Sequence, residues 1–181
     1  MNYIILDLEA TCWEEKKGRK NETIEIGAVL INERREIISE FVQFIKPVVH
    51  PQISSFCTEL TSIQQEDIDS APNFLEATSR FKEWFSCDKE PYVLCSWGFY
   101  DKSQLKSDSE IHGLDTKWVD HHISLKHQYQ YLKNLRRGIG MKRALENEGF
   151  RLDGTHHRGI DDAKNIAKIF IKYFDLWEMP S

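Results

Sequence analysis

The sequence lacks the features of a membrane or exported protein. No stretch approaches the run of about 18 apolar residues that a membrane-spanning helix needs. The opening segment MNYIILDLEATCW has no basic leader, and Asp7 interrupts its apolar run. We therefore expect no signal peptide, no membrane association and a cytoplasmic location.

Cysteine is scarce and is not paired along the chain. The four cysteines are Cys12, Cys57, Cys87 and Cys95, and none belongs to a Cys-x-x-Cys motif. This spacing gives little support to a zinc site. A chain of 181 residues does not need disulfides for stability. We interpret the cysteines as reduced, small apolar residues.

An excess of positive charge is also missing, since the formal net charge is −5. This argues against a protein that coats duplex nucleic acid through a broad basic surface. It does not exclude an enzyme acting on nucleic acid, because bound divalent cations would neutralise catalytic carboxylates. Three local basic clusters are candidates for phosphate contacts, although such clusters are usually solvated: Lys16-Lys17-Arg19-Lys20, Arg136-Arg137 with Lys142-Arg143, and Arg158.

The first part of the chain predicts three strands. Hydrophobic residues make up 40% and charged residues 29%, which is typical of a packed domain, and we predict one domain over residues 1–181. Apolar or alternating runs cover Tyr3–Leu8, Glu22–Asn32 and Ile37–Ile45. Short connections between them favour an antiparallel meander.

The second part alternates helices with strands, and so favours a mixed α/β sheet flanked by helices. The predicted strands are 92–96 and 117–123, and the predicted helices are 74–85, one opening at 99, 125–132, 141–147 and one beginning near 161. On such a sheet, sites form near the carboxyl ends of strands and the adjoining helix starts.

Asp7 and Glu9 end the first predicted strand. Side chains two residues apart on a strand point to the same face, so these two carboxylates lie side by side. Like charges this close repel each other unless a cation lies between them, and a hard divalent cation prefers oxygen ligands. A lone Asp-x-Glu is also compatible with a solvated strand end.

The segment HHRGIDDA, residues 156–163, opens the last predicted helix. Asp162 lies on its apolar face, where a carboxylate is costly unless it is paired or metal-bound. Asp161 lies on the polar face, where the helix dipole favours it. His157 precedes the helix, and an imidazole with a pKa of about 6.5 is suited to accepting a proton from water. His156 and His157 are equally compatible with loop or capping roles.

Asp101 follows a buried strand in the segment SWGFYD, residues 96–101. Its position at the start of a helix fits an N-terminal cap as well as a metal ligand. The local pattern leaves both interpretations open.

Together these segments resemble the DEDDh 3′→5′ exonucleases, the DnaQ-like group with the ribonuclease H-like fold. The resemblance extends to the branch of the histone-mRNA exonuclease, enhanced-RNAi and KinA-pathway-inhibitor proteins. It covers most of the chain in the expected order, through LDLEATCW (6–13), TIEIGAV (23–29), ISSFCTELTSIQQ (53–65), SWGFYDKSQ (96–104), ISLKHQY (123–129) and GMKRALENEGFRLDGTHHRGIDDAKNIA (140–167).

The resemblance implies a five-stranded mixed sheet, with three antiparallel strands followed by parallel ones, and a two-metal hydrolase. It implies two divalent ions, Mg²⁺ or Mn²⁺, held by Asp7, Glu9, Asp101 and Asp162, with His157 as general base. A spacing of four residues between histidine and aspartate also fits His156 with Asp161. The helical face of Asp162 and the position of His157 before Arg-Gly-Ile favour the pair His157 and Asp162.

The resemblance also indicates where the terminal nucleotide lies. Phe56 and Cys57 are expected near its base, and the backbone of Ala10, Thr11 and Cys12 near its sugar. Arg158, beside His157, is a candidate phosphate contact. Loop residues that pack into the core are an equally good interpretation of Phe56 and Cys57.

Two positions depart from the pattern of the family. Ser62 stands where relatives usually have Gly, and Ser124 where many have Asn, so the local turn and the contacts to the terminal nucleotide are open to change.

The resemblance favours the 3′ ends of RNA over DNA as the substrate. An alternative is a non-catalytic nucleic-acid-binding or regulatory module, which is disfavoured because all five catalytic residues are retained. A ribonuclease H-like endonuclease or a nucleotidyl-transfer enzyme is a third possibility, but the general-base histidine of the His-x4-Asp motif favours an exonuclease. The sequence does not identify a protein partner.

Overall fold

Five strands form one sheet in the computed structural model, which describes residues 1–180. They are β1 (Asn2–Ala10), β2 (Thr23–Ile31), β3 (Ile37–Phe44), β4 (Tyr92–Ser96) and β5 (His122–Ser124). Their order across the sheet is β3-β2-β1-β4-β5. The pairs β1–β2 and β2–β3 are antiparallel, whereas β1–β4 and β4–β5 are parallel. The predicted mixed five-stranded sheet is confirmed.

Seven α-helices flank the sheet in the described part of the chain. They are α1 (Ser55–Thr61), α2 (Gln65–Asp69), α3 (Phe74–Trp84), α4 (Tyr100–Ile111), α5 (Leu125–Leu132), α6 (Met141–Asn147) and α7 (Gly159–Lys172). Short 3₁₀ helices cover Lys117–Val119 and Phe174–Leu176. None of the helices within residues 1–180 is long and apolar enough to cross a membrane.

Strand β1 is the central strand and is buried on both faces. Its even residues Ile4 and Leu6 pack with α3 and α4, while Tyr3 and Ile5 pack with α5, α6 and α7. Each fully buried side chain of this size stabilises the fold by about 1.5–3 kcal/mol. The alternation continues to the end of the strand, so Asp7 and Glu9 lie on the face that α7 covers.

The prediction of a strand over residues 117–123 is wrong for most of its length. Residues Lys117–Val119 form a 3₁₀ helix that directs both Trp118 and Val119 into the core. Only His122–Ser124 forms ladder pairs with β4. The reason is that the turn at Asp120, whose carbonyl accepts the N–H of His122 at 2.8 Å, separates the two halves.

Helices α1 and α2 were not predicted, because each is too short to show a helical period. Their signals are in the caps: Ser54 accepts the N–H of Cys57 at 3.0 Å, and Gln64 and Asp67 form a reciprocal capping box. Helix α1 ends at Ser62, whose φ of 63° is left-handed. Glycine adopts this conformation most easily, which gives a physical reason for the glycine that the family pattern leads us to expect there.

Helix α7 has the predicted apolar face. Asp162, Ile166, Ile169 and Phe170 are all buried on it. The polar residue Asn165 is also fully buried on this helix. Its side chain donates to the carbonyl of Asp153 at 2.8 Å and accepts the N–H of Asp153 at 3.0 Å, so it anchors the loop before the helix.

Candidate active site

The carboxylates of Asp7, Glu9 and Asp162 converge at the carboxyl end of β1. One oxygen from each lies within 4.8 Å of the others. Glu9 and Asp162 are 7% and 4% exposed, respectively. Two residues of one strand and one residue of a helix more than 150 positions later therefore form a single acidic cluster.

Helix α7 reaches this cluster because two glycines allow its first turn to lie against the sheet. A Cβ on Gly27 would overlap the backbone of Gly159 and Ile160, and a Cβ on Gly159 would lie 2.9 Å from the carbonyl oxygen of Asp7. Gly27 is also the antiparallel partner of Asp7. The close approach of the backbones brings Asp162 within reach of β1.

Asp101 lies in the first turn of α4, directly after β4. It is buried, and its Oδ1 accepts the N–H of Leu8 at 3.1 Å. Because β4 runs parallel to β1, the start of α4 and the end of β1 lie at the same edge of the sheet. Asp101 lines the same cleft as Asp7, Glu9 and Asp162.

His157 lies in the turn before α7 with a φ of 66°, and its backbone N–H donates to Asp162 Oδ2 at 2.9 Å. The ring of His156 stacks on that of His157 with centroids 4.0 Å apart. Nδ1 of His156 lies 3.0 Å from both oxygens of Asp162. Asp161 instead accepts the N–H of Thr155 at 2.8 Å. The structure therefore places Asp162, and not Asp161, beside the histidines in the cleft.

Burial and mutual repulsion disfavour the charged form of these acids. Burial, followed by the charges of Asp101 and Glu9, holds the pKa of Asp7 well above its usual range. Burial, with Glu25 and Asp162 nearby, raises the pKa of Glu9 to about 8. Burial raises the pKa of Asp101 to about 6, although the Leu8 N–H opposes the shift.

A divalent cation fits this cluster of oxygens. Carboxylates that repel one another in a buried site lose that repulsion when a cation lies between them. Mg²⁺ and Mn²⁺ are hard ions that favour oxygen ligands of this kind. The donor atoms of Asp7, Glu9 and Asp162 are close enough to share one ion.

The cluster lies at the base of a cleft of about 410 Å³. Ala10 and Cys12, whose contact with a terminal sugar stays a prediction, form part of its wall. Thr11 is buried, and its Oγ1 accepts the N–H of Glu22 at 2.9 Å. Lys142, from one of the basic clusters proposed for phosphate contacts, also lines the cleft. Three further wall residues were not predicted as site residues and carry no local signal beyond being aromatic or apolar: Leu60, Trp97 and Tyr100.

Helix α1 closes one side of the cleft. Phe56 is 39% exposed on this helix, and its neighbour Leu60 lines the cleft. Cys57 is fully buried, and its thiol contacts the carbonyl oxygen of Ala10 at 3.6 Å. Cys57 therefore supports the cleft wall from behind. Phe56 is exposed and is not among the residues that line the cleft.

Arg158 does not reach into the cleft but pairs with Glu25 on β2. Its Nε and Nη2 donate to the two carboxylate oxygens of Glu25 at 3.2 and 3.1 Å. Glu25 was not predicted as part of the site, although it lies in the segment TIEIGAV and is the cross-strand partner of Glu9.

The family model described as Exonuclease (RNase_T) matches residues 4–170 of the 181. The chain belongs to the DEDDh 3′→5′ exonuclease family. It is 35% identical over 181 residues to ERI1 exoribonuclease 3 from Homo sapiens, covering 92% of this chain and 52% of that protein. It is 31% identical over 198 residues to the 3′-5′ exonuclease Snipper from Drosophila melanogaster, covering 94% and 69% respectively.

A solved structure shows the same fold. The nuclease domain of 3′hExo, a DEDDh family member bound to rAMP, superimposes with a TM-score of 0.92 at 28% identity, covering 99% of this chain and 96% of that domain. Members of this DEDDh family depend on divalent metal ions. The chain spans about a quarter to a half of the length of most of the curated relatives that it matches. The ribonuclease H-like fold and the branch implied by the sequence are confirmed.

Proposed function

We propose that the chain is a 3′→5′ exoribonuclease that removes nucleoside 5′-monophosphates from RNA 3′ ends with two divalent ions, Mg²⁺ or Mn²⁺. The observation that carries this proposal is the cluster of Asp7, Glu9 and Asp162 beside His157 in one open cleft. Family membership supports the class of reaction, and the site geometry supplies the groups that the reaction needs.

Asp7, Glu9, Asp101 and Asp162 would hold the ions. When bound, the ions supply positive charge that offsets the negative charge developing on the scissile phosphate. The carboxylates would fix the positions of the ions. Because these side chains are buried, they lie in a region of low dielectric constant. Asp101 is further restrained by the backbone N–H of Leu8, which keeps the start of α4 close to β1.

His157 is proposed to take the proton of the attacking water at an imidazole nitrogen. Burial, together with the charge of His156, lowers the pKa of His157 below 6.5, so its ring is neutral and able to accept a proton at pH 7. The new bond joins the water oxygen to phosphorus, and the bond from phosphorus to the 3′ oxygen of the preceding nucleotide breaks. That oxygen takes a proton from solvent and becomes the new 3′-hydroxyl. The products are a 5′-monophosphate and an RNA shortened by one nucleotide.

The RNA preference is supported by two comparisons. The relatives at 35% identity are named exoribonucleases, and the solved 3′hExo domain holds a ribonucleotide, rAMP. Here the cleft wall formed by Ala10 and Cys12 would lie near the terminal ribose, where a 2′-hydroxyl distinguishes RNA from DNA. Phe56, which is exposed on α1 four residues before the cleft-lining Leu60, would stack on an unpaired base without strong sequence selection. Thr11 and Cys57 would support these contacts from behind.

The decisive experiment uses 5′-labelled RNA and DNA strands of one sequence, with Mg²⁺ or Mn²⁺ and with EDTA as the metal-free control. We expect RNA to shorten stepwise from its 3′ end and to release 5′-monophosphates only when metal is present. A circular RNA should resist, because it has no 3′ end.

Adjacent aspartates provide a matched pair of variants. Asp162→Asn should lower turnover at least about 100-fold, because it removes one charge from the acidic cluster. Asp161→Asn keeps the oxygen that accepts the Thr155 N–H and should turn over close to the parental rate. Cuts inside circular RNA would indicate an endonuclease. RNA binding without shortening would indicate a non-catalytic binding module, and faster loss of DNA would overturn the RNA assignment.

A further inference from the structure

Glu25 is a buried carboxylate next to the acidic cluster. Its side chain forms no hydrogen bond with any of the proposed metal ligands. It is fully buried on β2 and lies opposite Glu9 in the antiparallel ladder. A buried charge is costly unless it is paired and hydrogen-bonded. Its partners therefore show which part of the molecule depends on it.

All partners of Glu25 belong to the start of α7. Arg158 donates two hydrogen bonds to it, at 3.1 and 3.2 Å, and the backbone N–H of Gly159 donates a third at 3.1 Å. The two oxygens of Glu25 are thus held by one side chain and one backbone group. The tether joins β2 to the residues that directly follow His157.

The turn at His157, which Glu25 anchors, has an unfavourable backbone conformation. His157 has a φ of 66°, a left-handed conformation that is unfavourable for a residue with a Cβ. Such a conformation persists only where the surrounding contacts determine it. Two contacts do so here: Asp162 accepts the N–H of His157, and Glu25 holds Arg158 and Gly159 on the other side.

Building on the proposed function, we propose that Glu25 and Arg158 are positioning residues, whose ion pair sets the placement of the His157 imidazole and the Asp162 carboxylate without contacting RNA. This assigns to Arg158 a role different from a phosphate contact. Its guanidinium already uses two donors on Glu25, and its Cζ lies 5.3 Å from the centre of the Phe44 ring. Only 27% of the side chain is exposed.

Steady-state kinetics on RNA separate the two roles of Arg158. Arg158→Lys keeps the positive charge but loses the two-pronged geometry, so the positioning role predicts a fall in kcat of about tenfold or more. KM for RNA should change by less than about twofold, since no substrate contact is removed. Glu25→Gln should reproduce this loss, and the double variant should lose little more than either single variant, because both disrupt one contact.

The matched control is Lys164→Ala. Lys164 also links α7 to the sheet, through an exposed 2.7 Å ion pair with Glu40 on β3. Its removal should leave kcat and KM close to the parental values, since exposed pairs contribute little. Circular dichroism and a thermal melt identify variants that fail to fold. If Glu25→Gln fails to fold, the kinetics and the metal affinity of the Arg158 variants test the positioning role instead.

Metal affinity provides a readout that does not require nuclease activity. Mn²⁺ titration by calorimetry should show Arg158→Ala binding about tenfold more weakly, because Asp162 is no longer held in place. If Arg158 acted only through its charge, removing it beside four carboxylates would instead strengthen Mn²⁺ binding. Stronger or unchanged binding would overturn the positioning role. An inactive parental protein would reject the proposed function, while this titration would still test the tether.

A phosphate contact has a different signature. It predicts that Arg158→Ala raises KM while kcat is unchanged, and that the salt dependence of RNA affinity falls by about one charge. That pattern would refute our inference and restore Arg158 to the substrate-binding surface.

Discussion

Replacing Glu9 by glutamine should stabilise the metal-free protein, and the gain should grow with pH. Glu9 is buried among other acids, so its pKa rises from an ordinary 4.5 to about 8 in the folded protein. A carboxyl whose pKa is higher in the folded state binds more protons when folded than when unfolded. Stability is therefore lost as pH rises from about 4.5 towards 8.

The size of the effect follows from this shift. At pH 8 the uncompensated Glu9 costs about 4 kcal/mol of unfolding free energy, whereas near pH 4.5 it costs almost nothing. For a chain of this length that corresponds to roughly 10 °C in Tm. Glu9→Gln removes the cost without changing the size of the side chain. The variant should then match the parental protein at pH 4.5 and exceed it at pH 8.

Urea denaturation in EDTA at pH 4.5 and pH 8 measures this difference. Glu146→Gln, on the exposed side of α6, is the control and should change stability little at either pH. Added Mg²⁺ should stabilise the parental protein at pH 8 more than Glu9→Gln, because the ion binds the charged cluster in the folded state. A stability difference that does not depend on pH, or a destabilised variant, would refute the electrostatic reasoning.

Three further perturbations test other parts of the molecule. His157→Ala should lower kcat about 100-fold or more while calorimetry shows metal affinity largely intact; near-parental turnover would contradict its role as general base. Gly27→Ala should reduce stability by about 1–3 kcal/mol, because its Cβ overlaps the backbone of Gly159, and an unchanged Tm would reject the close approach. Glu148→Ala should cost about 1–3 kcal/mol in urea denaturation at pH 7, because it leaves the hydroxyl of the buried Tyr129 without its acceptor; an unchanged midpoint would mean that this hydrogen bond is not stabilising.

Acid should act on Glu148 as well. Its hydrogen bonds with Lys172 and Tyr129 outweigh burial and lower its pKa to about 2. A carboxyl with a depressed pKa stabilises the fold above about 4.5 and loses that contribution as pH falls towards 2. The parental protein should therefore lose more stability than Glu148→Gln between pH 5 and pH 3, as measured by urea denaturation. Equal losses would contradict the shift.

Local periodicity was sufficient to predict much of the fold. Helix α3 was predicted within one residue of its observed end, because its apolar positions repeat at helical spacing. The short strand β5 was misplaced, since the buried pair Trp118 and Val119 resembles a strand until the turn at Asp120 is known. Helices α1 and α2 are defined by caps rather than by a period, and so were missed.

The acidic site depends both on local sequence patterns and on tertiary packing. The shared face of Asp7 and Glu9 follows from the two-residue repeat of a strand, and the inward side of Asp162 from the period of a helix. These are properties of a few consecutive residues, so the sequence alone determined them. The catalytic roles of these residues stay predictions until the variants are measured.

Tertiary structure alone decided how distant groups meet. The bond from Asp101 to the Leu8 N–H joins residues 93 positions apart, and the pair of Arg158 with Glu25 joins residues 133 positions apart. No local pattern encodes such contacts, because they depend on which strands adjoin and on how closely Gly27 allows α7 to approach. The sequence therefore determined which side chains face the site, and packing decided which of them touch.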